Sequence, residues 1–187
     1  MHCLLLGCLS FLPFYLFDYN KLKGGSRWLN LLFAVGVLSL GGVTLTILLT
    51  APARFVLPGV LRAGCLALSL VSLGLMFYAL FFALPFSKTY VTGENSAQVV
   101  DTGLYALCRH PGVLFFCFFY LFLYGCSGQD LMFWAWLLFT AMDLLHVAVQ
   151  DRYIFPKSLP GYGQYQQRVP FLLPTGESLR RCLQTLR

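Results

Sequence analysis

A polar loop runs into an apolar segment between Asp101 and Pro111, and this loop carries the residues best suited to bind an anion. Pro111 suits the first turn of a helix and biases His110 away from helical geometry. If a helix begins at Pro111, its free backbone N–H groups form a site for a carboxylate or a phosphate, together with Arg109 and His110. The alternative is that Arg109 and His110 only reach toward lipid headgroups.

A second polar group interrupts the last apolar run. Asp143, His146 and Gln150 are spaced i, i+3 and i+7, so they share one face of a helix, and Asp151 follows where the run ends. An ionised acid near the centre of a membrane helix costs roughly 2.5 to 3.5 kcal/mol, and such residues usually face a bundle interior or a cavity. A functional role at such a cavity is one interpretation. The other is structural: an Asp143–His146 pair that satisfies itself inside the bundle, or interfacial residues in a frayed helix end.

The third candidate is the aromatic tail that follows Asp151. Tyr162 and Tyr165 are three residues apart, so they lie on one side of a helical turn, and the segment from Pro170 to Pro174 is typical of a membrane interface. Such residues could wall a binding pocket. They could equally form the aromatic belt that is common at this depth.

Long uncharged runs must position these three groups. The 187 residues are 58% hydrophobic and only 11% charged, with a mean hydropathy of +0.73, whereas soluble domains carry about 25% charged residues. Each run approaches the roughly 20 residues that cross a bilayer. The sequence therefore predicts an all-α, polytopic membrane protein with about five transmembrane helices. The runs cover residues 3–17, 28–50, 58–86, 111–126 and 131–149.

Five crossings place most of the basic residues on one side of the membrane. The other side keeps only Arg54 and Arg62, so the positive-inside rule predicts a cytoplasmic C-terminus and an N-terminus outside. The same rule explains the net charge of +6 without nucleic acid. The residues on the predicted cytoplasmic side are Lys21, Lys23, Arg27, Lys88, Arg109, Arg152, Lys157, Arg168, Arg180, Arg181 and Arg187.

The chain reads as one membrane domain over residues 1–187. Residues 1–86 form three N-terminal helices, and residues 87–187 form a loop, a helical hairpin and a cytoplasmic aromatic tail. The short link at 125–130 is turn-like, so the last two helices should be antiparallel neighbours. Seven cysteines, mostly inside apolar runs, are interpreted as small apolar fillers, and no metal site is predicted.

The order of these motifs resembles a known family. The motifs that carry the resemblance are, in order, Gly103-Leu104-Tyr105, Arg109-His110-Pro111, an apolar hairpin, Tyr162-x-x-Tyr165 and Val169-Pro170. The chain resembles the isoprenylcysteine carboxyl methyltransferase and phospholipid methyltransferase family. The resemblance covers about residues 100 to 174. The first three predicted helices carry no comparable signature.

The resemblance implies an integral membrane enzyme that transfers a methyl group from S-adenosylmethionine to a lipophilic or amphiphilic acceptor, either the carboxylate of a prenylated cysteine or a lipid headgroup. Arg109 and His146 would be the catalytic residues, with His146 accepting a proton from an amine acceptor. Gln150 and Asp151 stand where the family usually has two acids. The cofactor-binding residues would be Tyr105, Arg109, His110, Gln150, Asp151, Tyr162 and Tyr165.

Two other functions remain open on the sequence. A membrane reductase of the sterol-reductase type, which uses NADPH, shares a similar Arg-His-Pro region, but Gly112-Val113 replaces its usual Asn-Tyr. A non-catalytic membrane protein that retains the fold is the second alternative.

Overall fold

The computed structural model describes residues 2–24, 26–83 and 99–186, and this part of the chain is helical, with no β-strand. The predicted all-α class is therefore confirmed. Half of the predicted loop at 87–110, including Lys88, lies outside the described residues. The helices are α1 (His2–Leu9), α2 (Leu12–Leu22), α3 (Leu31–Thr50), α4 (Gly59–Phe77), α5 (Leu104–Leu107), α6 (Pro111–Ser127), α7 (Asp130–Val149), α8 (Phe155–Ser158), α9 (Tyr162–Arg168) and α10 (Gly176–Thr185).

Within the described part of the chain, four helical segments are long and apolar enough to cross a membrane: His2–Leu22, Trp28–Thr50, Gly59–Phe82 and Asp130–Ser158. Pro111–Ser127 is apolar but shorter. Many large apolar side chains face outward, which suits a lipid environment and not water. The chain is therefore a membrane protein.

Two of these segments differ from the apolar runs read from the sequence. The first continues past residue 17 to Leu22, so that it includes Asp18, and it is interrupted near Phe11, just before Pro13 in the first turn of α2. The last does not end at residue 149, because a π-helical turn over Gln150–Ile154 joins α7 to α8. π-helical turns are often found at functional sites.

The helices pack in two groups that meet through the α6–α7 hairpin. Helix α3 packs on α1, α2 and α7, whereas α4 packs on α6. The core between these helices contains the fully buried side chains of Phe11, Ile47 and Phe139. Because α3 and α4 pack on different partners, a space remains between them.

A tight turn joins α6 to α7. Gly128 ends α6 with a φ of +67°, and its carbonyl oxygen accepts a hydrogen bond of 2.8 Å from the backbone N–H of Arg54. The Gln129 amide donates to the carbonyls of Leu48 and Ala51 at the end of α3, at 3.1 and 2.7 Å. The turn thus fixes the α6–α7 hairpin to the loop that follows α3.

The tail after α7 folds back on the loop that precedes α6. Helix α10 packs on α5, and its Thr185 hydroxyl accepts a hydrogen bond from the Gly103 backbone N–H at 2.9 Å. In a separate cluster, Tyr162, Tyr165 and Val169 are buried together. The loop before α6, the end of α7 and the tail therefore lie together at one end of the helix bundle.

Candidate functional site

Asp151 is the centre of a hydrogen-bond network at this end of the bundle. The π-helical turn places its carboxylate toward the Arg109 guanidinium, which donates from Nε to Oδ1 at 2.8 Å and from Nη2 to Oδ2 at 3.0 Å. The Tyr162 hydroxyl donates to Oδ1 at 2.6 Å, and the Gln166 amide donates to Oδ2 at 3.1 Å. Asp151 is buried, and the Arg109 guanidinium balances its negative charge inside the protein.

Arg109 also ties the loop to the tail. Its Nη1 donates to the carbonyls of Gln166 and Val169 at 2.9 and 2.8 Å, and its guanidinium lies 5.5 Å from the centre of the Phe171 ring. Its backbone N–H donates to the Pro170 carbonyl at 2.9 Å. Protein partners therefore occupy four of the five side-chain N–H groups of Arg109.

His110 has the non-helical backbone predicted before a proline, with φ of −128° and ψ of 62°. Its Nε2 donates to Asp151 Oδ1 at 3.2 Å, and its ring stacks on Phe155 and meets Phe171 edge to face. Burial lowers the pKa of His110, although the hydrogen bond to Asp151 acts in the opposite direction. We therefore describe the imidazole as neutral near pH 7, with its proton on Nε2.

This burial predicts a pH dependence of stability. Because the pKa of His110 is lower in the folded chain than the ordinary value of about 6.5, the unfolded chain binds more protons below that pH. The contribution of neutral His110 to the free energy of unfolding is present above about pH 6.5, and it is lost as the pH falls through the lower pKa of the folded chain. We expect the melting temperature to fall between pH 7 and pH 5, and to fall less in His110→Gln. Equal slopes for the two proteins would contradict this assignment.

The three tyrosines singled out in the sequence also lie here. The Tyr165 hydroxyl donates to the Tyr105 carbonyl at 2.7 Å, and the Tyr105 hydroxyl donates to the Ala79 carbonyl at 3.1 Å. Burial raises the pKa of Tyr162 and Tyr165, and the hydrogen bond to Asp151 raises the pKa of Tyr162 further. Both hydroxyls therefore stay protonated and act as donors.

His146 and Gln150 lie in a second cluster, about Asp18. The His146 Nε2 and the Gln150 amide each donate to Asp18 Oδ2 at 2.8 Å, and all three side chains are buried or half-buried. His146 therefore does not pair with Asp143. Sequence reasoning missed Asp18, although an acid directly after the first apolar run was a signal that could have indicated a polar partner.

A cavity of about 760 Å³ connects the two clusters. Its walls are apolar side chains of α2, α3, α4, α6 and α7, and its polar end includes Arg109, His110 and Tyr162. Asp18 of α2 and Asp143 and His146 of α7 also line it. Its volume lies within the usual 300–1,000 Å³ of small-molecule sites, and its mixture of apolar walls with few polar groups is typical of them.

The chain is similar to two curated metal resistance proteins. It is 27% identical over 116 residues to the nickel-cobalt-cadmium resistance protein NccN of Alcaligenes xylosoxydans xylosoxydans, a match that covers 61% of this chain and 49% of that protein. It is 31% identical over 124 residues to the cobalt-zinc-cadmium resistance protein CzcN of Cupriavidus metallidurans, and this match covers 64% of this chain and 51% of that protein. The chain thus spans about half the length of the curated relatives it matches.

No known family model matches the chain, and no solved structure matches it. Among residues 2–24, 26–83 and 99–186, no group of three or more His, Cys, Asp or Glu side chains is arranged to hold a metal ion.

These relatives overturn the function expected from the sequence. Both are named for resistance to metals, so the prediction of a membrane methyltransferase that acts on a lipophilic or amphiphilic acceptor is wrong. The physical reason lies in the motif residues themselves. Arg109, Asp151 and Tyr162 bond to one another, so the spacing that suggested a cofactor site also serves the packing of loop against tail. S-adenosylmethionine binding and the catalytic roles of Arg109 and His146 stay predictions.

Proposed function

We propose that this chain is a multi-pass membrane protein that binds an amphiphilic small molecule in its cavity and thereby contributes to cellular tolerance of transition-metal ions. The cavity is the observation that carries the proposal. It is large and mostly apolar, and it ends at a polar site built from residues of the loop before α6, the π-helical turn after α7 and the tail. The names of the two similar proteins supply the physiological setting.

The position of the cavity suits an amphiphile that enters from the bilayer. Gly41 and Leu45 of α3 line one side, and Leu73 and Phe77 of α4 line the other. These helices pack on different partners, so the space between them faces lipid. An aliphatic chain would enter there, while its polar head would reach the buried polar groups further in.

We also propose five crossings, with Pro111–Ser127 as the one added to the four longer spans. Its 17 residues lie at the short end of the range for a transmembrane helix. With five crossings, most basic residues lie on the side of the C-terminus, which is then cytoplasmic. A C-terminal fluorescent fusion should therefore fluoresce in bacterial cells, whereas a C-terminal alkaline phosphatase fusion should be inactive. The opposite pattern would overturn the five-helix topology.

Two neighbouring glycines allow a sharp test of the cavity. Gly41 lines the cavity and a Cβ placed there would meet nothing within 4 Å, so Gly41→Phe should fill the space without a backbone clash. Gly42 has the same freedom, is exposed and does not line the cavity, so Gly42→Phe is the matched control. Both lie within α3.

We expect protein purified in mild detergent to retain an amphiphile in native mass spectra, and Gly41→Phe to lose at least nine-tenths of it. Cells that lack their own resistance genes should grow at higher Co²⁺, Ni²⁺ or Cd²⁺ concentrations with the native chain or with Gly42→Phe than with Gly41→Phe. Equal ligand content in both variants would contradict binding in the cavity. Equal growth with and without the native chain would contradict the role in metal tolerance.

A further inference from the structure

Asp143 is the acidic side chain of the cavity wall that the two clusters leave unused. It lies eight residues before Asp151 on the same helical segment, so it is about 12 Å deeper along the helix axis. Its side chain is half-buried and lines the cavity. His146 acts on it electrostatically, and no described residue donates a hydrogen bond to its carboxyl.

The acids of the two neighbouring clusters differ in this respect. The Asp18 carboxylate accepts hydrogen bonds from His146 and Gln150, and the Asp151 carboxylate accepts them from Arg109. An acid inside a membrane protein is costly and marks a functional site unless a partner satisfies it. Asp143 therefore needs a partner that enters the cavity.

Aromatic rings line the same cavity as Asp143. They belong to Phe14, Phe116, Phe119 and Tyr120, and the charge of the Asp143 carboxyl acts on the Tyr120 hydroxyl. The Tyr120 hydroxyl is already bonded to Thr44 at 2.6 Å, so its ring and not its hydroxyl is offered to a ligand. Aromatic faces beside a carboxylate are the chemistry that recognises an ammonium cation, because both attract positive charge without donating a hydrogen bond.

We propose that the ligand of this cavity is a cationic amphiphile, with an ammonium group against Asp143 and the aromatic rings, and an aliphatic chain between α3 and α4. This inference rests on the proposed function, because it names the chemical class of the amphiphile. The cavity selects for charge through Asp143 and for chain length through its apolar walls.

Two probes of nearly equal shape test the proposal. Lauroylcholine carries a quaternary ammonium, and the 3,3-dimethylbutyl ester of lauric acid replaces that nitrogen by carbon. With the native chain in lipid nanodiscs, we expect dissociation constants at least about tenfold lower for the cationic ester than for the neutral ester. Asp143→Asn should bring the ratio close to one and leave binding of the neutral ester unchanged.

Two further variants separate charge from folding. Asp143→Glu should keep the preference for the cation, and Asp130→Asn, at an exposed acid on the same segment, should not change it. If Asp143→Asn fails to fold, the ratio measured for the native chain still decides. Equal binding of both esters by the native chain overturns the cationic ligand but leaves the proposed function standing, whereas binding of neither ester overturns the proposed function itself. A preference retained in folded Asp143→Asn overturns the role of Asp143.

Discussion

Replacing Asp151 by asparagine should lower the free energy of unfolding by about 3–5 kcal/mol, the usual cost of removing one partner of a buried ion pair. The Arg109 and Asp151 side chains are each only 12% exposed, and Asp151 accepts hydrogen bonds from Arg109, His110, Tyr162 and Gln166. An asparagine keeps the shape but removes the charge and turns one acceptor into a donor. Arg109 would then be a buried cation without its counter-ion.

The exposed pair between Arg54 and Asp130 is the matched control. Its nitrogen–oxygen distance is 3.3 Å, but the two side chains are 75% and 57% exposed, so Asp130→Asn should cost about 0–1 kcal/mol. Both variants are neutral isosteres of an aspartate in the same helical segment. Reversible unfolding in mixed micelles, followed by circular dichroism, gives both values. Equal losses would show that the Asp151 network adds no more than a surface contact.

The sequence was enough to predict that five residues lie close together, namely Arg109, His110, Asp151, Tyr162 and Tyr165. The short link after Ser127 makes α6 and α7 antiparallel, which brings the start of α6 beside the end of α7. The tail leaves from that same end. Local turn chemistry and apolar run lengths were therefore enough to place the first network.

The second cluster could not be predicted in the same way. Asp18 and His146 are 128 residues apart, and their contact depends on how α2 packs against α7, which no local pattern specifies. The first span is interrupted near Phe11 but continues to Leu22, and Asp18 is buried in the bundle. The π-helical turn at Gln150–Ile154 likewise reflects tertiary packing, because its residues carry no breaker signal before Pro156.

Function was the least predictable property. The order of the Arg-His-Pro and Tyr-x-x-Tyr motifs predicts which side chains lie close together. In the structure, however, these side chains form hydrogen bonds to one another, as Arg109 and Tyr162 do to Asp151. A ligand is better indicated by what remains unsatisfied. The cavity between α3 and α4 and the carboxyl of Asp143 are such features, and both are visible only after the helices are packed.

Gly128→Ala should be among the most damaging single changes in the chain, with a loss of about 3 kcal/mol or more in the free energy of unfolding. Its φ of +67° costs an alanine roughly 1–2 kcal/mol. A Cβ there would also lie 1.9 Å from the Phe55 carbonyl oxygen, and that backbone is itself held by the hydrogen bond from Arg54 N–H to the Gly128 carbonyl.

Gly161→Ala separates these two causes. Gly161 has a φ of +81°, but a Cβ placed there would meet nothing within 4 Å, so its loss should be limited to the backbone strain. The excess loss in Gly128→Ala then measures the contact between the α6–α7 turn and the loop after α3. Because that turn fixes α7, which carries Asp143 and His146 into the cavity, Gly128→Ala should also weaken ligand binding. Similar losses in both variants, measured by chemical unfolding in micelles, would show that the turn does not hold the two halves of the bundle together.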